Sequence, residues 1–478
     1  MTAVKQDLLR LTRHLIPIIA GVCLLTSGSA MAQSTVPDEE AARIQAIAEE
    51  AYLYGLPLVQ EYAVMRSFAI DQTSPQFKAP FNAIKSIGAT LTPADKAIPY
   101  PNNDTLYSIS WLDLRAEPVV LSLPAIDQGR YYSVILSDAA SMNYGLISSR
   151  LNGYEPASYL VVGPDWQGDT PSGIRSVIRS PSPFSMTLIR TQVINADDLP
   201  KVHALQASYK VQTLSAFLGK PAPAAAPEIA FPEIDRELAK KNFFFYLDFV
   251  MRMTPVQPGE EALRARLESI GLGKDFAAFQ ALAKTQMPAL MAGVKAGQQK
   301  LDERIAGAGP KVNGWNWNLD LDIKYSSYRG DILKRAALTK VGPHGLNPDE
   351  AIYPIVFTLP DGTKLDGSKH DYSLTFAAND LPPVDAFWSL SLYDATTGLL
   401  VDNPINRYAV SSALLPSMKK NADGSLTLLI QKDAPDGEWK NNWLPAANGP
   451  LSMILRLYAP RQNARDGSWV IPPVVQVR

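Results

Sequence analysis

The residues best suited to chemistry in this chain are polar groups set among aromatics. Asn102-Asn103-Asp104-Thr105-Leu106-Tyr107 places two amides, a carboxylate and a phenol within six positions. Asn and Asp in such a stretch cap backbone groups in a tight turn. The alternative use is a cleft rim, with Asn103, Asp104 and Tyr107 offering hydrogen bonds. Asn403-Pro404-Ile405-Asn406-Arg407-Tyr408 sets two amides, a guanidinium and a phenol on a Pro-containing loop. The planar fork of Arg407 suits a carboxylate or phosphate. The competing use is an Arg–Asp pair, with Asp394 or Asp402, that fastens the loop. Asn441-Asn442-Trp443 and Trp315-Asn316-Trp317 put amides beside indoles. That combination suits sugar rings and other ligands with polar edges and an apolar body, although tryptophans more often fill cores.

Other catalytic chemistry finds little support. Of four histidines, His14 lies near the N-terminus, and His203, His344 and His370 have no ligand spacing, so neither a metal site nor a cofactor is expected. Asp320 and Asp322 would share one face of a strand, where solvent is the expected neighbour rather than a cation. There is no G-x-S-x-G elbow. Ser417 and Lys420 match S-x-x-K only formally, and Gly307-Ala308-Gly309 follows a helix and lacks the third glycine of a dinucleotide loop. Acid–base work would fall to Asp104, Asp113, Asp138, Asp394 or Asp402 with Tyr107, Tyr131 or Tyr408. A paired-carboxylate hydrolase is one such arrangement.

Residues 1–32 read as a cleavable secretory signal. Lys5, Arg10 and Arg13 supply the charge, 15–25 the apolar stretch and Ala30-Met31-Ala32 the small-x-small cleavage site. The apolar stretch is shorter than the ~20 residues that span a bilayer. Mature protein starting at Gln33 would be periplasmic or secreted and soluble, with no integral membrane span. The single cysteine, Cys23, falls inside the signal, so the mature chain has no disulfide or thiolate chemistry. The net charge of −2 gives no electrostatic reason to bind nucleic acid or anionic lipid.

The elements that must position these residues follow from period and punctuation. Asp38 and two acids open a helix over 38–66, interrupted in pattern by Gly55 and Pro57. From Pro99, short apolar runs alternate with turn residues: Thr105–Leu114, Val119–Leu123, Tyr131–Leu136, Tyr159–Val162 and Met186–Val193. Lys220–Pro227 is a stiff Pro/Ala linker. Helices follow over 232–306, including a strongly apolar one at Asn242–Met253 and a longer one at Phe276–Leu301 that Pro288 should kink. β texture returns from Ile352, with turns at Asp361-Gly362, Asp423-Gly424 and Asp466-Gly467. The organisation expected is α+β: signal 1–32, N-terminal helical segment 33–95, antiparallel β-sandwich 96–227, helical region 228–345, and a second, jelly-roll-like sandwich 346–478. An internal echo links the β regions. Arg130–Asp138 (RYYSVILSD) and Phe387–Asp394 (FWSLSLYD) share an aromatic pair, Ser, alternating apolar residues and Asp.

These segments resemble a bacterial exported family with two adjoining domains of unknown function, numbered 1254 (N-terminal) and 1214 (C-terminal). The first is carried by 101–108 (PNNDTLYS), Trp111–Leu114 and Arg130-Tyr131-Tyr132. The second is carried by Phe387–Asp394, 403–408 (NPINRY), 442–445 (NWLP) and 455–458 (LRLY). One departure is Ser149, where the family has Gly before Arg150. The resemblance implies a β-sandwich, a helical region and a jelly-roll-like domain, and no activity. The expected function is an organic ligand, glycan-like among the options, held in a cleft between domains by Asn103, Asp104, Tyr107, Arg130, Asn406, Arg407, Asn442 and Trp443. Alternatives are a metal-independent hydrolase or lyase using Asp, Tyr and Arg, and an oligomeric envelope component; a homo-oligomer is compatible with each. No catalytic residue is assigned.

Overall fold

A computed structural model describes residues 39–96, 100–307, 309, 311–317 and 330–477. The segment 1–32 expected to be a signal, with Cys23, the Asp38 cap and the Asp320/Asp322 pair lie outside the described residues. The fold is mixed α+β, and among the described residues the strands form four mostly antiparallel sheets. The first sheet runs in the order Lys85–Ser86, Thr105–Asp113, Phe184–Gln192, Tyr132–Ser137, Asn143–Ser148. The second runs Ile174–Arg179, Ala157–Val162, Val119–Leu123, Lys210–Thr213. The third is built on Leu451–Tyr458 and Trp388–Asp394, and the fourth on Leu426–Gln431 and Tyr372–Phe376. No described sheet closes on itself in this strand order.

Apolar side chains decide the layering. Leu112, Val134 and Ile189 of the first sheet share a core with Leu121, Tyr159 and Val161 of the second. Leu390, Leu455 and Leu457 of the third meet Leu374, Leu428 and Ile430 of the fourth. The outer face of the first sheet is covered as well. There Ile109, Trp111, Ile135, Met186 and Leu188 pack with Leu58, Tyr62 and Met65 of the first helix and with Val250 and Met251. With both faces covered, Phe184–Gln192 has no exposed residue at all, although Phe184-Ser185-Met186-Thr187-Leu188 alternates apolar and polar side chains as a half-exposed strand would.

The first helix spans Glu39–Met65 and runs through Gly55 and Pro57 without ending. Gly55 is needed for contact: a Cβ there would lie 2.7 Å from a methyl of Leu247. The helix predicted at Asn242–Met253 is Phe243–Met253, and it is buried on most sides as its apolar sequence implies, with only Phe245 and Arg252 exposed. Phe276–Ala306 kinks at Gln286, two residues before Pro288, which removes a backbone donor and crowds the preceding turn. The region 228–345 is not purely helical. Lys311–Val312 and Trp315–Asn316 join the third sheet. No described helix is long and apolar enough to cross a membrane.

The echoed segments hold equivalent places. Tyr132–Ser137 and Trp388–Asp394 each have a paired strand on both sides. Each ends in an Asp that accepts backbone N–H groups: Asp138 from Ala140 and Met142, Asp394 from Thr396 and Thr397. Their aromatic ends meet, with Tyr131 and Phe387 edge to face at 5.8 Å.

Candidate functional site

The two β regions meet along a buried polar seam, built from the end of the first sheet and the end of the third. Asn102 turns the chain into Thr105–Asp113 by accepting the Asp104 N–H at 2.7 Å. Asp104 is thereby aimed across the junction. Its Oδ2 accepts the Ser389 hydroxyl at 2.7 Å and the Tyr458 hydroxyl at 3.1 Å, and Asn102 Nδ2 donates to the same phenol at 2.9 Å. Burial raises the Asp104 carboxyl above its ordinary range, against the pull of Arg456, Ser389 and Tyr458. Tyr458 stacks on Phe387 at 4.2 Å and lies 5.0 Å from Tyr131.

Arg190 sits beside this seam on the outer face of the first sheet. Register places it between Tyr107 and Ser133 on the flanking strands. Its guanidinium lies over the Tyr107 ring at 5.5 Å, and one terminal nitrogen donates to the His344 carbonyl at 2.6 Å. The phenols of Tyr107, Tyr353, Tyr131 and Tyr458 surround it. The other terminal nitrogen, Nη1, is buried with no hydrogen-bond partner; so are Tyr131 Oη, Ser133 Oγ and Glu350 Oε1. The Tyr131 hydroxyl lies beside Ser133 and Glu350 and interacts with both, without forming a well-aligned hydrogen bond to either. Glu350 is held by Arg150 at 2.9 Å through its other oxygen. Arg150 is in place because Ser148 caps the short helix Ser149–Asn152, the point of departure from the family pattern. Tyr353 is 38% exposed and Tyr107 is half-buried, so the cluster is roofed by rings that reach solvent. Burial holds the Tyr131 and Tyr458 phenols well above their ordinary range and pushes Tyr353 up to about 12. All three are therefore neutral donors at pH 7.

The seam continues past His344. Its ring Nε2 lies 3.5 Å from Glu61 Oε2, and its Nδ1 is buried and unpaired. Burial and Arg190 push the imidazole down to about 4, so it is neutral. Glu61, on the first helix, is raised well above its usual range by burial and then by Asp138. Burial also pushes Asp138 up to about 6. Glu61 lines a small apolar cavity with Leu58, Trp111, Phe184, Val250 and Met253. A separate open groove of about 600 Å³ lies by Asn379, Asp380, Trp388 and Arg461, but Arg461 is already bonded to Asp385 at 2.7 Å.

The seam gathers Asn103, Asp104 and Tyr107 from the predicted set; Asn103 Oδ1 is buried and unpaired. The others lie elsewhere and are bonded to protein. Arg130 grips Asp198 with two nitrogens at 2.7 Å and donates to the Gln192 carbonyl. Arg407 donates to the carbonyls of Lys440 and Trp443 at 2.6 and 3.0 Å, so backbone takes the role expected of Asp394 or Asp402. Asn406, at φ +49°, accepts the Tyr408 hydroxyl. Asn442 is fully buried and bonds to Lys419 and Thr427, and the Trp443 indole donates to Gln431 O. Trp315 and Trp317 are core residues. Sequence reasoning missed Arg190, Ser133, Glu350 and Tyr353, and weighed His344 only as a metal ligand. For Arg190, the echo held the signal: Ser133 and Ser389 each sit opposite an arginine, Arg190 and Arg456.

Comparison with known proteins agrees with this architecture. Residues 81–213 match the family described as Protein of unknown function (DUF1254), and residues 350–462 match Protein of unknown function (DUF1214). The VPA0106 protein of Vibrio parahaemolyticus has a similar structure: TM-score 0.73 and 26% identity, over 91% of this chain and all of that one. An uncharacterized protein from Burkholderia cenocepacia aligns over 92% of this chain and 96% of its own, at 13% identity and a TM-score of 0.41. No curated protein matches. The chain belongs to the family in which a domain of unknown function numbered 1254 precedes one numbered 1214.

Proposed function

We propose that this protein is exported and binds a small organic ligand at the seam between its two β regions. One observation carries the reading: Arg190, Ser133, Tyr131 and Glu350 bring four buried polar atoms without protein partners to one place. Each such atom costs up to ~1–3 kcal/mol, against a net stability of ~5–15 kcal/mol for a whole domain. A merely structural junction would fill the same space with apolar side chains at lower cost. Half-exposed Tyr107 and Tyr353 supply aromatic walls toward solvent, as ligand clefts do. Export rests on Lys5, Arg10, Arg13, the 15–25 apolar stretch and Ala30-Met31-Ala32. The same reading takes each pair of packed sheets as a sandwich, on the strength of their shared cores.

The test is native mass spectrometry of protein expressed with its leader and purified without denaturation. Expected are a mature chain starting at Gln33 and a co-purifying small molecule. Tyr353→Ala should lower ligand occupancy while leaving the melting temperature within about 2 °C, because the ring is exposed. Absence of any bound molecule, with no change in melting temperature across a broad metabolite panel, would sink the ligand reading.

A further inference from the structure

We infer that the ligand at this seam is a small organic carboxylate, received by Arg190 with the Ser133 and Tyr131 hydroxyls donating to the same group. The inference rests on the reading of the seam as a ligand site. The molecule contains its own comparison. In the echoed strands, Ser133 faces Arg190 and Ser389 faces Arg456 in the same antiparallel register. At the C-terminal position the polar groups are satisfied. Arg456 donates to Ser391 Oγ and Tyr393 Oη at 2.7 Å and to the Tyr100 carbonyl at 3.2 Å. The Asp104 carboxylate lies within its electrostatic reach and takes the Ser389 and Tyr458 hydroxyls. A carboxylate from the other β region thus completes the arginine–serine–tyrosine group.

At the N-terminal position the same kinds of group lack that acid. Arg190, Ser133 and Tyr131 are 7%, 0% and 1% exposed, and each has a polar atom without a partner. Among the described residues no carboxylate pairs with Arg190. Glu350 faces Tyr131, with its Oε2 on Arg150 and its Oε1 unpaired. A buried guanidinium needs an anion to offset its desolvation. One unpaired cation with two neutral donors matches the single charge and two oxygens of a carboxylate, rather than a phosphate dianion. Tyr107 and Tyr353 present ring faces to the rest of the molecule, which favours an apolar or flat body.

The experiment uses the mature full chain in thermal-shift and calorimetric titrations. Probes are acetate, butanoate and benzoate, each beside its neutral amide, with inorganic phosphate as a further arm. At least one acid should raise the melting temperature and bind roughly 30-fold or more tightly than its amide. Arg190→Met should weaken that acid by about 100-fold. Without acid the same change loses the bond to the His344 carbonyl and sheds an unpaired buried cation, so the variant's own acid-free melting temperature is the baseline for its titrations. Arg190→Lys keeps the charge, loses the fork and should weaken binding by roughly tenfold. Amides binding as well as acids, phosphate binding in their place, or no acid binding at about 10 mM each overturns the inference. If a neutral molecule co-purifies while every acid fails, the ligand site stands and the carboxylate does not; if nothing binds, both fall.

Discussion

Asp138 shows how one buried carboxyl can set a pH dependence. It is 4% exposed, accepts the Ala140 and Met142 N–H groups, and has Glu61 nearby. Burial pushes it up to about 6 from an ordinary 3.8. Below pH 4 both folded and unfolded chains hold the proton. Between about 4 and 6 the folded chain holds it and the unfolded chain releases it, so rising pH erodes stability across that window. Asp138→Asn keeps the acceptor oxygen and never ionises. It should match the parent near pH 4 and exceed it above pH 6, by up to about 3 kcal/mol. Urea melts at pH 4.0, 5.0, 6.0 and 7.0 check this; a constant difference across the series would rule it out. Composition makes Asp138 visible as an acid at a strand end, but its burial under the first helix depends on residues far away in the chain.

At the scale of elements, two helices test how close packing is specified. Phe276–Ala306 lies against Glu39–Met65 with Gly293 at the contact. A Cβ at Gly293 would fall 2.3 Å from the Gln45 carbonyl oxygen and 2.6 Å from Ala48 Cβ. Backbone cannot yield as a long side chain can, so the helices would have to separate. Gly293→Ala should destabilise by about 1–3 kcal/mol despite the better helix propensity of Ala. Gly449→Ala, with nothing within 4 Å of its Cβ position, should change stability by less than about 0.5 kcal/mol. Equal effects in chemical denaturation would contradict the packing argument. Turns were more legible than contacts. Gly362, Gly424 and Gly467 all have φ near +80 to +90°, and Asp361, Asp423 and Asp466 each accept the N–H two residues on. That chemistry is complete within four residues, so it can be read locally.

For the whole molecule, Asp104 joins the two β regions through contacts separated by 285 and 354 residues. Replacing it strands the Ser389 and Tyr458 hydroxyls and leaves Arg456 without its nearby acid. Asp104→Ala should cost about 2–4 kcal/mol. If the regions unfold as one unit, tryptophan fluorescence and far-ultraviolet circular dichroism should shift to lower urea together. Unchanged midpoints would show that the seam contributes no stability through this residue.

The sequence by itself determined the α+β class, the long helices, five strands of the first β region, the Asp–Gly turns and the echo between the β regions, because propensity, period and turn chemistry act over a few residues. Only the tertiary structure decided which polar groups are satisfied. Arg407, on a polar loop, offered the clearest recognition signal, yet two backbone carbonyls engage it. Arg190, one of five polar residues in the strand Phe184–Gln192, gave no local sign of being available, yet its Nη1 is left without a partner. A side chain's chemistry is written at its own position. Its hydrogen-bond partners come from wherever long-range packing brings them, and at this seam they come from the opposite end of the chain.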